Sequence, residues 1–584
     1  MMKRTNNPYR THNCGELRRD AVGQRVRLAG WVDTVRDHGG VVFVDLRDHY
    51  GVTQIVIHDE AMIRGLGRES VVSVLGILRE RSSDTVNPKI DTGEVELLVE
   101  ILEILSRSLR PLPFDIETST QTREEVRLKY RFLDLRNPGV HKTIVLRSQI
   151  TQFMREKMVA LGFLEMHTPI LTSSSPEGAR DYLVPSRKHH GLFYALPQAP
   201  QIFKQLLMIS GFDRYFQVAP CFRDEDARAD RTPGEFYQLD FEMAFATQED
   251  VFSVAESLLH DTFSHFSEKR VSPVPFPRIP FAESMRLYGT DKPDLRNPLR
   301  IEDLSDFFAD VDFAPFRKKA VRGIVAPGCA DKPRSFFEKM LDYALSIGMK
   351  GLGYISVYAD MELKGPIVKF LSDEKRREII DCLGFKENDT LFFISDAENV
   401  VDRLAGQIRS ELGKRLELID ENAFEMCFIT DFPMFGMDDD TGKLTFTHNP
   451  FSMPQGGMKA LESADPLDIK AWQYDIVCNG VELSSGAVRN HLPDVMTRAF
   501  EIAGYTKQDI ESKFGALFNA FHYGAPPHAG MAPGLDRVVM LLAGQDSIRE
   551  VVAFPMNSNA QDVLLGAPSP VTEQQMREIH IKLR

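Results

Sequence analysis

The chain has 584 residues, 43% of them hydrophobic and 26% charged, with a formal net charge of −14. That length exceeds one ordinary domain, and the apolar fraction excludes a disordered or fibrous chain, so three or four folded domains are expected. The acidic balance excludes a general nucleic-acid coat but leaves room for RNA held on a local basic face.

Six scattered cysteines, Cys14, Cys221, Cys329, Cys382, Cys427 and Cys478, form no CxxC pair, which predicts reduced thiols rather than a disulfide framework or structural zinc. The opening MMKRTNNPYRTHN lacks the apolar core of a signal peptide, and no apolar run approaches the ~20 residues that span a bilayer. A cytoplasmic protein without a membrane partner is expected.

Residues 24–105 read as five short strands with Gly-containing turns, the pattern of a Greek-key barrel of the OB type. On such a barrel Phe43 suits a stacking plate, Gln54 a base-edge reader and Arg36 a phosphate or base contact, although barrel core is the plainer reading for Phe43. His38 lies in the loop string RDHGG. Residues 106–136, with Pro111 and Pro113, read as a hinge and a short helix. Its basic residues, among them Arg123, Arg127, Lys129, Arg131 and Arg136, suit either an RNA backbone or ordinary salt bridges.

Apolar residues from Ile144 to Leu161 recur at helical spacing, the helix stops at Gly162, and FLEMHTPIL follows as a strand ending in Pro169. A loop, SSSPEGARDYLVPSR, carries Glu177. Gln201 and Lys204 then stand at i, i+3 spacing on one helix face.

The densest chemistry is FRDEDARADRTPGEFYQLDFEMAF, residues 222–245, read as two antiparallel strands joined by a charged loop. Arg223 at the end of the first strand suits an α-phosphate, because a guanidinium fork binds two phosphate oxygens in a fixed plane. Glu225, taken as facing the same way along the strand, suits a metal, amino or hydroxyl group. Asp240, between Leu239 and Phe241, is costly unless paired. A solvated charged hairpin is the bland alternative for the whole stretch.

Residues 296–420 change character, with mixed strands and helices and no catalytic constellation. Beyond them, His448 sits at a strand end, while Asp475 and Glu482 bracket a hairpin turned at Asn479-Gly480. Two carboxylates on adjacent strands can hold a divalent ion between nucleotide phosphates. Arg489 can fork onto a carboxylate, and Arg537, closing PGLDR before a helical run, can neutralise a γ-phosphate.

These strings, in this order, resemble the three signature motifs of class II aminoacyl-tRNA synthetases, and CFRDEDARADR is similar to the bacterial-type aspartyl family in the aspartyl, asparaginyl and lysyl subgroup. The resemblance spans almost the whole chain. It implies a multidomain α+β fold: an OB-fold anticodon-binding domain at 1–110, a hinge at 111–140, an antiparallel-sheet catalytic domain in two parts at 141–295 and 421–584, and an inserted α+β domain at 296–420. It implies that aspartate is activated by ATP with Mg2+ and passed to tRNA(Asp), by a homodimer whose interface includes Pro169.

By the same resemblance Arg223, Glu225 and Arg537 are catalytic, and Glu177, Gln201, Lys204, Asp240, His448 and Arg489 bind aspartate. Glu177 and Asp240 then serve its ammonium, Gln201 the ammonium or α-carboxylate, and Lys204 and Arg489 its side-chain carboxylate. Asp224, Gln238, Glu482, Gly534, Leu535 and Asp536 join Arg223, Glu225 and Arg537 around ATP, with Asp475 and Glu482 on the metal. Arg36, His38, Phe43 and Gln54 read the tRNA, and a His at position 38 resembles the relaxed enzymes that also charge tRNA(Asn) and work with a tRNA-dependent amidotransferase. His167, the extra Gly234, Ser484-Ser485 and Pro533 depart from the common family pattern.

A pocket holding Lys204 and Arg489 is expected to be donors only, favouring aspartate over asparagine or lysine. The rivals are asparaginyl and lysyl synthetases, an ammonia-dependent asparagine synthetase on the same fold, and an inactive synthetase-like RNA-binding or regulatory protein. The barrel argues against the third, and the complete set Arg223, Glu225, Asp475, Glu482 and Arg537 against the last.

Overall fold

The computed structural model describes residues 7–174, 179–231, 233–438 and 441–583. The chain forms two compact units, Met1–Asp115 and Ile116–Arg584.

The first unit is a closed barrel of β1 (Arg25–Asp37), β2 (Val42–Arg47), β3 (Val52–Ile57), β4 (Val71–Glu80) and β5 (Val95–Ser106), in the order β1-β2-β3-β5-β4. Alternation decides which side chains go in: Val26, Leu28, Val32, Val42, Val44, Leu46 and Ile55 fill the interior. Val42 and Val44 flank Phe43 and take the inside, which leaves Phe43 half-buried on the outer face and overturns its reading as core. The barrel also buries Arg47, whose NH2 donates to both oxygens of Glu69 at 2.8 and 2.9 Å while its NH1 meets Asp33.

The second unit begins with residues expected to be a hinge. Arg127 and Arg131 are instead buried there. Arg127 holds Asp134 at 3.2 Å and forks onto Glu550 at 2.9 and 2.8 Å, while Arg131 holds Asp134 and donates to the carbonyls of Val552 and Ala553. Neither is available to an RNA backbone, whereas Arg123 and Lys129 remain exposed. Helix α1 (Pro138–Ala160) starts earlier than the apolar spacing predicts, because the Asn137 side chain caps the amides of Gly139 and Val140 and proline occupies the first turn. Its buried Ile150, Met154 and Met158 pack into the core behind the main sheet.

That sheet has eight strands. In chain order they are β6 (Leu164–Glu165), β7 (Arg214–Arg223), β8 (Gly234–Ala244), β9 (Arg278–Pro280) and, after the insertion, β13 (Met426–Thr430), β14 (Gln473–Cys478), β15 (Val481–Val488) and β16 (His528–Met531). Between them the inserted domain contributes β10 (Ala320–Ala326), β11 (Gly353–Val357) and β12 (Thr390–Asp396). The sheet order is β9-β13-β14-β15-β16-β8-β7-β6; the six inner strands pair antiparallel, and each edge strand pairs parallel to its neighbour. Behind the sheet Phe252 stacks on Phe428 with centroids 3.8 Å apart, and Tyr474 meets Phe252 edge-on. The front carries α2 (Gln201–Ile209) and the residues of interest.

The inserted domain is a five-stranded antiparallel sheet covered on both faces. Ile324, Phe392 and Ile394 face one core with α3 (Glu398–Arg415), and Ile355, Leu391 and Phe393 face the other.

The charge cluster at Asp134 predicts that Arg127→Met lowers the stability of the second unit by roughly 3 kcal/mol, since a buried ion pair that loses one partner strands the other. Urea unfolding followed by far-UV circular dichroism measures it.

Candidate active site

Strands β7 and β8 are registered Arg223 to Gly234 and Gln217 to Asp240, so the charged loop hangs from the ends of two long paired strands. Gly234 closes that loop at φ +90°, a conformation that favours glycine. Along β8, Leu239, Phe241 and Met243 enter the core, while Gln238, Asp240 and Glu242 point to the front.

There a four-charge cluster forms in full burial. Lys204 Nζ lies 2.5 Å from Asp240 Oδ1 and 3.6 Å from Glu242 Oε2. Arg489, at the end of β15, forks onto Glu242 with Nε–Oε1 2.7 Å and NH2–Oε2 3.0 Å. The four side chains are at most 3% exposed. Burial pushes the Asp240 carboxyl above its ordinary range against the pull of Lys204. Burial would raise Glu242 as well, but Arg489 and Lys204 together hold it below. A Cβ on Gly530 would come 2.2 Å from Glu242 Oε2, so the bare backbone of β16 leaves the room this carboxylate occupies.

Lys204 and Arg489 line one end of a cavity of about 380 Å³ that also reaches Gln201, His448, Glu482 and Arg537. Gln201 lines the cavity and is buried, with its amide nitrogen lacking a hydrogen bond. His448 packs edge-on to Phe432, and burial lowers its pKa. The lysine–arginine end is therefore not built of donors only: Glu242 and Asp240 already pair both cations. Asp240 itself sits beneath Lys204 and does not line the cavity, which departs from its expected direct contact with a ligand ammonium.

At the far end Arg223 lies over the Phe236 ring at 4.9 Å. Strand β7 stops at Arg223, so Glu225 is in the loop rather than further along the strand, and it pairs with Arg231 at 2.7 Å. Both still line the cavity, as does Gln238, whereas Asp224 does not. Arg537, on α4 (Leu535–Leu542), donates to the Glu482 carbonyl at 2.7 Å and to the Asp230 carbonyl at 3.2 Å. Gly534 donates to the Leu483 carbonyl at 2.7 Å and fixes that helix on the sheet. Leu535 is core, and Asp536 accepts the Tyr237 amide at 2.9 Å and pairs with Arg147.

Asp475 and Glu482 flank the two-residue turn at Asn479 and Gly480, both at positive φ, as that hairpin type requires. Asp475 is buried with Oδ1 lacking a hydrogen bond, and burial followed by the charge of Glu482 pushes its carboxyl well above the ordinary range. A buried carboxyl oxygen without a hydrogen bond, under the charge of a second carboxylate, fits a hard divalent cation that completes its shell from phosphates and water. Among the described residues no group of three metal-ligating side chains gathers. Glu177 lies outside the described residues.

On the barrel, Arg36 forks onto Asp45 at 2.7 and 2.8 Å and donates to Gln54 Oε1 at 3.2 Å, while Gln54 donates to Glu96 at 2.7 Å. His38 meets Phe43 edge-on at 5.5 Å. Arg36, His38 and Phe43 thus share one outer face with an exposed cation and an aromatic plate, whereas Gln54 is buried with both ends of its amide paired, which is not the arrangement expected of a base-edge reader.

Sequence reasoning passed over Glu242, Arg231, Asp230 and Lys292. For Glu242 a signal existed, since it repeats Asp240 at the two-residue spacing of β8.

The match to family models agrees with this geometry. Residues 123–558 match the class II tRNA synthetases (D, K and N), and residues 26–105 match the OB-fold nucleic acid binding domain. The chain belongs to the class II tRNA synthetase family. It is 55% identical over 581 residues to the aspartate–tRNA ligase of Streptomyces coelicolor, covering 99% of both chains. It is 54% identical to the aspartate–tRNA(Asp/Asn) ligase of Rickettsia akari (98% of both) and 53% identical to that of Gluconobacter oxydans (99% of this chain, 98% of the relative). The fold matches a putative aspartyl-tRNA synthetase from Leishmania major at TM-score 0.59 and 21% identity, covering 95% of this chain and 96% of that one. It matches the asparaginyl-tRNA synthetase from Pyrococcus horikoshii at TM-score 0.57 and 20% identity, covering 95% and 98%.

Behind the cluster, His528 places Nε2 3.0 Å from Gln205 Oε1 and Nδ1 2.8 Å from the Pro526 carbonyl, of which the neutral imidazole donates to one, and burial lowers its pKa to about 4. The unfolded chain, with an ordinary histidine, takes up this proton first, so the stability His528 contributes is present above about pH 6.5 and is lost as pH falls toward 4. Between pH 7 and pH 5 the second unit of the unsubstituted protein is expected to lose about 2 kcal/mol more than the His528→Asn variant, by urea unfolding at each pH.

Proposed function

We propose that this chain is an aspartate–tRNA ligase that activates L-aspartate with ATP and esterifies the 3′ end of tRNA(Asp) and, in addition, of tRNA(Asn). The observation that carries the aspartate assignment is the buried Lys204–Asp240–Glu242–Arg489 cluster at one end of a cavity whose other end holds Arg223 and Arg537. A carboxylate side chain accepts from the N–H groups of Lys204 and Arg489 that Asp240 and Glu242 leave over. An amide nitrogen at the same point would set donor against donor.

The α-carboxylate of aspartate attacks the α-phosphorus of ATP; a carboxylate–phosphorus bond forms, the bond to the bridging oxygen of the β-phosphate breaks, and pyrophosphate leaves. Arg223 receives the α-phosphate and Arg537 the γ-phosphate, and the work of the protein is alignment and charge neutralisation rather than covalent catalysis. A terminal ribose hydroxyl of tRNA then takes the aspartyl group and AMP departs. Gln201 and His448 orient the amino acid, Gln238 and Glu225 the nucleotide, and Glu177 the ammonium. When bound on Asp475 and Glu482, magnesium supplies charge neutralisation to the phosphates.

The wider tRNA scope rests on His38 beside the half-buried Phe43 and on the names of the Rickettsia and Gluconobacter relatives. It makes a tRNA-dependent amidotransferase the expected downstream partner, since aspartyl-tRNA(Asn) must be amidated before use. A homodimer is supported by edge strand β6 and the segment after it, where Leu164, Ile170 and Leu171 are each about half exposed. Cytoplasmic residence follows from this role.

Charging of separate tRNA(Asp) and tRNA(Asn) transcripts with radiolabelled aspartate tests the reading. Both are expected to accept aspartate; charging of tRNA(Asp) alone removes the wider scope, and charging of neither removes the function. Arg223→Ala is expected to reduce aspartate-dependent ATP–pyrophosphate exchange by at least a factor of ~1,000 with an unchanged circular dichroism spectrum. Exchange close to that of the unsubstituted protein contradicts the role given to Arg223.

A further inference from the structure

Residues 289–299, GTDKPDLRNPL, carry the chain from the catalytic domain into the insertion. Helix α3 of the inserted domain holds this segment by its backbone. Arg409 is 1% exposed, and its guanidinium donates to the carbonyls of Leu299 at 2.6 Å, Asn297 at 2.7 Å and Asp294 at 3.0 Å while lying over the Tyr288 ring at 4.9 Å. Asn297 answers with a bond to the Arg409 carbonyl at 3.0 Å. A Cβ on Gly289 would come 2.1 Å from the Asp402 carbonyl, so helix and segment meet backbone to backbone. Arg296 completes the fixation by forking onto Asp294 at 3.0 and 2.8 Å.

A segment clamped this firmly presents one cation to Glu482, which lines the cavity. Lys292 Nζ lies 3.2 Å from Glu482 Oε2 and 3.5 Å from Asp291 Oδ2. The other oxygen of Glu482 is 3.7 Å from Arg537 NH1, and Asp475, whose Oδ1 lacks a hydrogen bond, lies within reach of the charge of Glu482. Glu482 therefore has a lysine where a divalent cation shared with Asp475 would draw on the same carboxylate.

We propose that Lys292 is the resident counter-ion of Glu482 in the nucleotide-free pocket, held there by the inserted domain, and that it gives up this carboxylate when a divalent cation binds Asp475 and Glu482. The proposal rests on the reading of that pair as the cation site. The freed ammonium remains beside the phosphate end, so the positive charge that departs with the cation is replaced at Glu482 by the lysine and the two carboxylates never face each other uncompensated. The inserted domain acquires a role in this account: it sets the height of Lys292 over the carboxylate pair.

The test is Mn2+ binding to the full chain without nucleotide, read from the electron paramagnetic resonance signal of free Mn2+. Lys292→Met is expected to bind Mn2+ about tenfold more tightly than the unsubstituted protein, because a resident cation no longer competes, and Lys292→Arg to bind it like the unsubstituted protein. Adding Glu482→Gln to Lys292→Met is expected to abolish the gain. Unchanged affinity in Lys292→Met, or a gain that survives Glu482→Gln, overturns the proposal. So does Mn2+ binding that never depends on Glu482, which removes the cation site as well. None of these readouts involves aspartate or tRNA, so failure of tRNA charging with the Mn2+ pattern intact strikes the proposed function alone. Lys292 is half-exposed, and thermal melts of each variant confirm that all are folded.

Discussion

Two cations and two carboxylates share a space from which water is excluded, and the front of the catalytic sheet is arranged around that fact. Removing four charges from water costs several kcal/mol each unless every one is met at close range. Lys204 meets Asp240, and Arg489 forks onto Glu242, with Lys204 within 3.6 Å of the same carboxylate. The cluster is neutral before any ligand arrives. Pre-pairing fixes the direction of the remaining N–H groups of Lys204 and Arg489, so a ligand carboxylate meets donors that need no reorganisation.

Three separate parts of the chain supply this cluster, and each depends on local geometry. Lys204 rides on α2, Asp240 and Glu242 on alternate residues of β8, and Arg489 follows β15, where its amide is tied to the His528 carbonyl at 2.9 Å. Gly530 on β16 provides the gap that Glu242 fills. His528 and Gln205 close the rear of the cluster, which ties the neutral imidazole to the same charge arrangement. At the other end of the cavity, Arg537 is aimed by two backbone carbonyls.

The barrel, the hairpin of residues 222–245, the turn at Asn479-Gly480 and the helix carrying Arg537 were all legible, because each has a short-range signature: strict alternation, a charged loop, a glycine-containing two-residue turn, a helix start. Long-range pairing left no such mark. Glu242 reads as one more polar residue on β8 until Arg489, 247 residues away, is seen to fork onto it. Arg127 and Arg131 look like exposed hinge cations until Glu550 and the carbonyls of Val552 and Ala553 close over them. Phe43 resembles core because its neighbours do, and only the phase of β2 puts it outside. Residues 296–420 offered no catalytic string, since what the insertion contributes near the cavity passes through backbone carbonyls gripped by Arg409.

Selection of a side-chain carboxylate is the task proposed for the buried cluster. ATP–pyrophosphate exchange with aspartate and with asparagine, each at saturating ATP, measures that selection before tRNA enters. The prediction is a kcat/KM for aspartate at least ~1,000-fold above that for asparagine, the discrimination expected of a site whose buried donors are left unmatched by the wrong ligand. Comparable values for the two amino acids, with the protein folded and active, would contradict the account.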